Sequence, residues 1–498
     1  MMTKRLISCV LFILFCFTTQ AQEEFYMDGV LPDDGTYDIL PAKKELVTKS
    51  YEILPSKYSL KQYCPSVKSQ SIYSTCTSWA TVYAARTIAE AIKYNWDDKE
   101  KITGEAFSPL FVYAQIKYSG DVSCNYGTFI SDALSLLKET GSPKLYEFNL
   151  LCANPDDISL QMKESARKYR IDDWCTLFGY SSKDTEDKIF KVKKSLNENH
   201  PVVISMWLDK PTFRETKAVL NLETVDKEFP RKSKEQGEGY HAMCVVGYDD
   251  NVYGGAFQIM NSWGTGWGDQ GFFWAKYEDF ARTVDQAYEF TIKPLPLPKP
   301  DPKPEPVPVV LNELAAKVEM KRRNGKEIKP TLDSENDLCY YQLYGEVHSG
   351  DSLRMYISNN EQAYVYVFSS DMKNNVNELF PRPYVIKEGG KIERKNYSPA
   401  LTYRSNYIAL PDEKHSILID DTKGTDYWCV LYSKEALDFD EILDKVKTHK
   451  GSFYEKIRFA LGDRMVPKKD IRFVMNKIEF GAKSEKAIVP VIIEAVHN

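Results

Sequence analysis

Histidine and cysteine are scarce in this chain, six and ten among 498 residues. So few cysteines cannot staple a scaffold of this length, which excludes the small disulfide-rich class. Past its first residues the chain also lacks any apolar run of the ~20 residues that a membrane-spanning helix needs. Neither sign of charge is in large excess, because the formal net charge is only −6. That mildly acidic balance argues against nucleic acid or an anionic membrane as the main partner. The composition that remains, 43% hydrophobic and 27% charged, is globular, and the length suits two or three cores.

Residues 1–21, MMTKRLISCVLFILFCFTTQA, combine basic Lys4 and Arg5, an apolar run and a Thr19-x-Ala21 exit. This is the pattern of a secretory signal peptide cleaved near Ala21, so the expected location is secreted or periplasmic, with no integral membrane segment after cleavage. Loss of Lys4 and Arg5 takes the net charge from −6 to −8 and leaves eight cysteines: Cys64, Cys76, Cys124, Cys152, Cys175, Cys244, Cys339 and Cys429. If one is a nucleophile, seven remain, and an odd number cannot all pair. Residues 22–53 are polar with no strong helical period and read as a short N-terminal segment before a domain at 54–293. At 294–308, PLPLPKPDPKPEPVP, proline recurs eight times. No helix or internal strand persists there, so 294–310 reads as an extended linker, ~45 Å long at about 3.1 Å per residue. A second domain then fills 311–498.

The hydrophobic period predicts an α+β architecture. Residues 78–95 and 129–140 read as amphipathic helices, whereas 201–208, 241–249 and 256–262 read as short strands, giving a helical lobe followed by a β-rich lobe. Beyond the linker, β-branched and aromatic runs at 353–357, 364–368, 407–410, 416–419 and 428–432 are punctuated by turn residues. Their spacing predicts a mostly β, sandwich-like domain with helices near 434–447 and 453–461.

One set of residues suits nucleophilic chemistry. Cys76 lies just before the apolar helix, where the aligned backbone dipoles favour thiolate. Of the two histidines between leader and linker, His200 lies in a polar ENHP turn and reads as a surface residue, while His241 opens the apolar strand HAMCVVGY. Twenty residues further on, Asn261 closes the next strand. An asparagine oxygen can accept the second imidazole N–H and fix its tautomer.

These segments resemble the papain family of cysteine peptidases. SQSIYSTCTSWA is similar to the family's nucleophile motif, GYHAMCVVGY to its histidine motif and NSWGTGWGDQGF to its asparagine motif; CNYG at 124–127 is similar to the glycine-bearing wall of its substrate groove. The resemblance covers roughly 54–293 and implies a two-lobe domain, one lobe helical and the other β-barrel-like. It implies Cys76 as nucleophile, His241 as base, Asn261 as the residue orienting that base and Gln70 as oxyanion donor. It further implies Trp263 shielding the His–Asn bond, Trp267 on the leaving-group side, and Tyr126 and Gly127 along the groove. Three departures stand out. Thr77 follows the nucleophile where better-known members carry Trp. Tyr73 and Ser74 stand where Cys and Gly are usual, so the family's disulfide to Cys124 cannot form that way; Cys152 is a candidate partner, and sequence leaves the connectivity open. The family's helical proregion is much longer than 22–53, so latency would have to work differently.

The implied activity is hydrolysis of a peptide or protein substrate through a Cys76 thioester. A catalytically silent binding module, or an acyl or peptide transferase using the same thioester, are the alternatives: the first predicts that Cys76 resists alkylation, the second amine-dependent turnover. No motif calls for a cofactor or a metal. The distal domain is similar to a bacterial domain family of unknown function through GDSLRMYISNNEQAYVYVF and YWCVLYSKEAL. Its expected role is spacing, or binding a protein or surface ligand. The charged stretch 209–240 reads as a lid or a solvated insertion.

Overall fold

The computed structural model describes residues 29–31, 35–47, 54–180, 182–223, 238–293, 314–333, 338–343, 347–371, 375–382, 384–388, 391–419, 423–484 and 486–497. The expected leader, residues 1–21, and the proline-rich stretch 294–310 lie outside the described residues.

The first lobe is helical, as the apolar period predicts. Its central helix runs through Cys76–Ser78, Trp79–Arg86 and Thr87–Lys93, the middle piece wound as a π-helix. Pro109–Ile116 and Ile130–Glu139 pack beside it, burying Phe111, Val112, Ala133, Leu134 and Leu137. The second lobe is an open sheet. Its strands, in order, are Asp173–Thr176, Val284–Thr291, Val202–Asp209, Glu238–Asp249, Ala256–Met260 and Phe272–Lys276, with Lys57–Ser59 on the side of Glu238–Asp249. The barrel-like expectation is corrected to this extent: neighbouring strands pair, but the sheet does not close on itself.

The distal domain is a sandwich. One sheet orders Tyr407–Leu410, Ser352–Asn359, Leu314–Arg322, Ile478–Ala482 and Ile471–Phe473. The other orders Thr331–Leu332, Cys339–Gln342, Ile488–His497, Gly424–Ser433, Ala363–Asp371 and Val376–Phe380. Alternation does the packing: Val318 and Met320 face Val365, Val367, Val430 and Val491 between the sheets. Phe368, Cys429 and Ile492, on the opposite face, meet the helices Phe439–Thr448 and Phe453–Leu461.

The two domains touch. Pro41–Ala42 pairs in parallel with Asp173–Thr176 on one side and with Lys391–Tyr397 of the distal domain on the other, so one sheet continues across both. Around that seam Ser398 Oγ donates to Asp173 at 2.6 Å and Thr402 Oγ1 to Glu289 at 3.1 Å. The described parts of the two domains are thus in direct contact.

Candidate active site

Cys76 opens the central helix and is fully buried. The strand Glu238–Asp249 brings His241 to it: the backbone N–H of Ala242, the next residue, donates to Cys76 Sγ at 3.4 Å. On the far side of the ring, His241 Nε2 lies 2.7 Å from Asn261 Oδ1, just past the strand Ala256–Met260. An amide oxygen can only accept, so Nε2 carries the proton and Nδ1 can act as acceptor. Trp263 lies against the imidazole at 5.1 Å between ring centroids, and Trp267 packs on Trp263 at 5.4 Å. Both indoles are buried, and Trp267 Nε1 donates to the Phe213 carbonyl at 3.3 Å.

Gln70 is pinned at both ends of its amide. Ser262 Oγ donates to Oε1 at 2.6 Å, and Nε2 donates to Tyr73 O at 2.9 Å. The nucleophile loop is tied to the groove wall without a disulfide: Ser74 N–H donates to Cys124 O at 2.8 Å and Ser74 Oγ to Asn125 O at 2.9 Å. Cys124 pairs with Cys152 instead, Cα atoms 5.6 Å apart. The other six described cysteines form no disulfide and are buried. Thr77 reaches the wall through a hydroxyl–hydroxyl bond to Thr128. Tyr126 is 60% exposed, its ring edge-on to Tyr118.

Two parts of the site, and the setting of His200 away from it, were not foreseen from sequence. Phe213, on the short helix Lys210–Arg214, packs on His241, Trp263 and Trp267. The described half of the 209–240 stretch therefore builds the floor of the aromatic cluster, while 224–237 lie outside the described residues. Asp121, 1% exposed, holds the groove-wall loop by accepting from the N–H groups of Asn125 and Tyr126 and from Tyr113 OH. An acidic residue three before a cysteine is a weak signal, legible only as a loop cap. His200 is half-buried, with Nδ1 3.2 Å from Phe290 O, and burial lowers its pKa. The polar turn around it hid that.

The cleft is occupied by the chain itself. Gly29 N–H donates to Cys76 Sγ at 3.1 Å, Thr128 N–H to Gly29 O at 2.9 Å and Leu31 N–H to Thr128 O at 3.1 Å. A Cβ on Gly29 would lie 2.2 Å from Ser74 O, and one on Gly127 would lie 2.8 Å from Gly29 C. Both glycines let backbone approach backbone at the thiol.

A helical lobe bearing a thiol at a helix start, set against an open β lobe bearing an imidazole and its amide partner, is the papain-like arrangement. Residues 55–288 match the family described as papain family cysteine protease. Residues 346–436 match a domain of unknown function, DUF4384. Among curated proteins, Cysteine proteinase 3 of Entamoeba histolytica is 36% identical over 76 residues, 15% of this chain and 22% of that protein. An uncharacterized peptidase C1-like protein of Acanthamoeba polyphaga mimivirus is 29% identical over 99 residues, 20% of this chain and 30% of that protein. The chain thus spans less than a third of either relative's length. Among solved structures, xylellain, a cysteine protease from Xylella fastidiosa, is similar at 22% identity and a TM-score of 0.42, covering 54% of this chain and 97% of that one. The bromelain protease of Ananas comosus follows at 16% identity and 0.36, covering 48% and 100%.

Proposed function

We propose that this chain is a cysteine peptidase that hydrolyses peptide bonds through a thioester on Cys76. The observation that carries the reading is the 2.7 Å His241–Asn261 hydrogen bond beside a thiol that accepts from the backbone of the next residue, Ala242. With Nε2 committed to Asn261, Nδ1 takes the thiol proton, and the helix start favours the thiolate. Cys76 Sγ attacks the carbonyl carbon. The Cys76 N–H and the second Nε2 hydrogen of Gln70 receive the oxyanion, the first Nε2 hydrogen being held by Tyr73. As the C–N bond breaks, His241 returns its proton to the leaving amine. Water, deprotonated by His241, then opens the thioester and releases the acid. Trp263 and Phe213 keep water from the His–Asn bond. The backbone at Gly127 and Thr128 receives an extended peptide, with Tyr126 on its outer side and Trp267 toward the leaving group. The leader pattern supports action outside the cytoplasm.

The test is turnover of an unfolded protein substrate by the full chain carrying Gly29→Val, whose side chain cannot fit against Ser74. Adding Cys76→Ala or His241→Ala should each lower the rate by about 10³-fold or more. Turnover that survives Cys76→Ala would sink the reading. Turnover that requires an added amine would move it to acyl transfer.

A further inference from the structure

The segment that crosses Cys76 does not end at the cleft. From Gly29–Leu31 the described chain resumes at 35, where Tyr37 is buried against Tyr180 and Tyr288, its hydroxyl donating to Ala287 O at 3.2 Å and accepting from Ala287 N–H at 3.0 Å. Asp38 Oδ1 accepts from Tyr180 N–H at 2.7 Å. These bonds of residues 29–38 are to the peptidase domain. From 39 onward the distal domain joins. Asn396 Nδ2 donates to Ile39 O at 2.5 Å, and Ser398 N–H to Ala42 O at 3.0 Å. The Lys43 ammonium sits 2.7 Å from Glu289 of the peptidase domain and 4.3 Å over the ring of Tyr403 of the distal one. Lys44 donates to Pro411 O at 2.9 Å and lies 4.3 Å over the Tyr397 ring, whose hydroxyl bonds Glu45 at 3.1 Å. Leu46 enters the core between the distal sheets and bridges Ile408, and Val47 N–H donates to Tyr407 O at 2.9 Å.

We propose that the distal domain is the anchor of an inhibitory strap: by gripping residues 39–47 it holds Gly29–Leu31 across Cys76 and keeps the thiol site closed. The physical reason is tethering. At the cleft the strap is held by few hydrogen bonds, all through its backbone, so substrate could compete for the place. Fixing residues 39–47 makes that contact intramolecular at a short tether, where the effective concentration of the strap is in the millimolar range. Two lysines within reach of tyrosine faces, one also paired with a buried carboxylate, and a leucine in a foreign core make the anchor specific to this sequence. The distal domain is thereby given a partner, the chain's own residues 39–47, and a task, latency. This rests on the thiol site proposed above.

The test is the rate at which iodoacetamide alkylates Cys76 in the folded full chain, read by peptide mapping, with melting curves to establish that each variant is folded. Gly29→Val, which acts at the cleft, should speed alkylation by about tenfold or more. Lys44→Ala, Leu46→Glu and Tyr403→Ala, which act only at the anchor, should speed it by a similar factor although none touches the cleft. If Gly29→Val opens the site and the anchor variants leave the rate at that of the parent chain, the peptidase domain holds the strap unaided and the proposal is overturned. An unchanged rate in Gly29→Val overturns it as well. Should Tyr403→Ala fail to fold, Lys44→Ala, which leaves both cores intact, decides. Faster alkylation with no hydrolysis of peptide bonds would uphold the latch and defeat the peptidase reading instead.

Discussion

The two ends of the strap are held by different chemistry. At Gly29–Leu31 the polar contacts are backbone N–H, carbonyl and thiol, the closeness of Ser74 leaves no room for a Cβ at 29, and Val30 is buried in the peptidase core. At Lys43–Val47 they include side chains throughout: an ammonium on a carboxylate, two cation–ring contacts and an aliphatic group in a core. The cleft end asks for little beyond a glycine at 29 and an apolar residue at 30, whereas a buried ion pair and a fitted leucine accept one sequence. A site meant for many peptides is thus plugged by a segment that is recognised somewhere else.

Three substitutions or conditions would sharpen or break that contrast. The largest effect is expected from Lys43→Met. It leaves Glu289, 1% exposed, with the hydroxyls of Ser195 and Thr402 but without its cation, and removal of one member of a buried pair costs about 3 kcal/mol. Denaturant unfolding of the full chain measures it; a loss under about 1 kcal/mol would show the anchor to be weak.

Acid should act in the same direction, less completely. Burial raises the Glu289 pKa, yet Lys43, His200 and the hydrogen bonds from Lys43 and Ser195 outweigh it and hold the carboxyl below its ordinary 4.5. A depressed acid contributes stability that is fully present above the unfolded value and is lost as pH falls through the lower folded one. His200 faces the same carboxylate with a pKa lowered by its own burial, so the unfolded chain takes up that proton more readily and acid costs the fold further stability there. The thiols of Cys175 and the hydroxyls of Ser195 and Thr402 complete the surroundings and stay neutral. Alkylation of Cys76, corrected for the pH dependence measured in a Gly29→Val chain, should rise below about pH 4.5. A flat corrected profile would detach Glu289 from the anchor.

The smallest effect on stability belongs to Gly29→Ala. One methyl group displaces only the end of the strap, so unfolding should shift by under about 1 kcal/mol even though the cleft opens. If this variant destabilised the chain as much as Lys43→Met does, the two ends would be equivalent and the contrast would fail.

Much of the site was legible in the sequence because it is local. Cys76 at a helix start is a position that the apolar period gives directly, and His241 and Asn261 are near it in kind: His241 lies fourth in the strand Glu238–Asp249 rather than opening it, and Asn261 just follows Ala256–Met260. The strands Tyr407–Leu410 and Gly424–Ser433 and the helix Phe453–Leu461 follow the alternation and the Ser452–Glu455 capping box in the same way. Phe213 was not legible, since an aromatic residue in a charged stretch looks like a surface insertion until Trp263 and Trp267 are placed above it. The Cys124–Cys152 pair was legible only as a candidate, since spacing leaves the connectivity open, and the structure selects it.

By itself the sequence determined the order of thiol, imidazole and amide, the change from helical to β period within the first domain and the sandwich alternation of the second. Only the tertiary structure decided that residues 29–31 cross the thiol and that residues 39–47 join the two domains. The pairing of Ala42 with Tyr397, and of Leu46 with Ile408, spans more than 350 residues and is carried by backbone groups that every residue type possesses. Contacts of that kind leave no mark in composition or period. They exist only once two cores have formed and offered their edges to the same short strand.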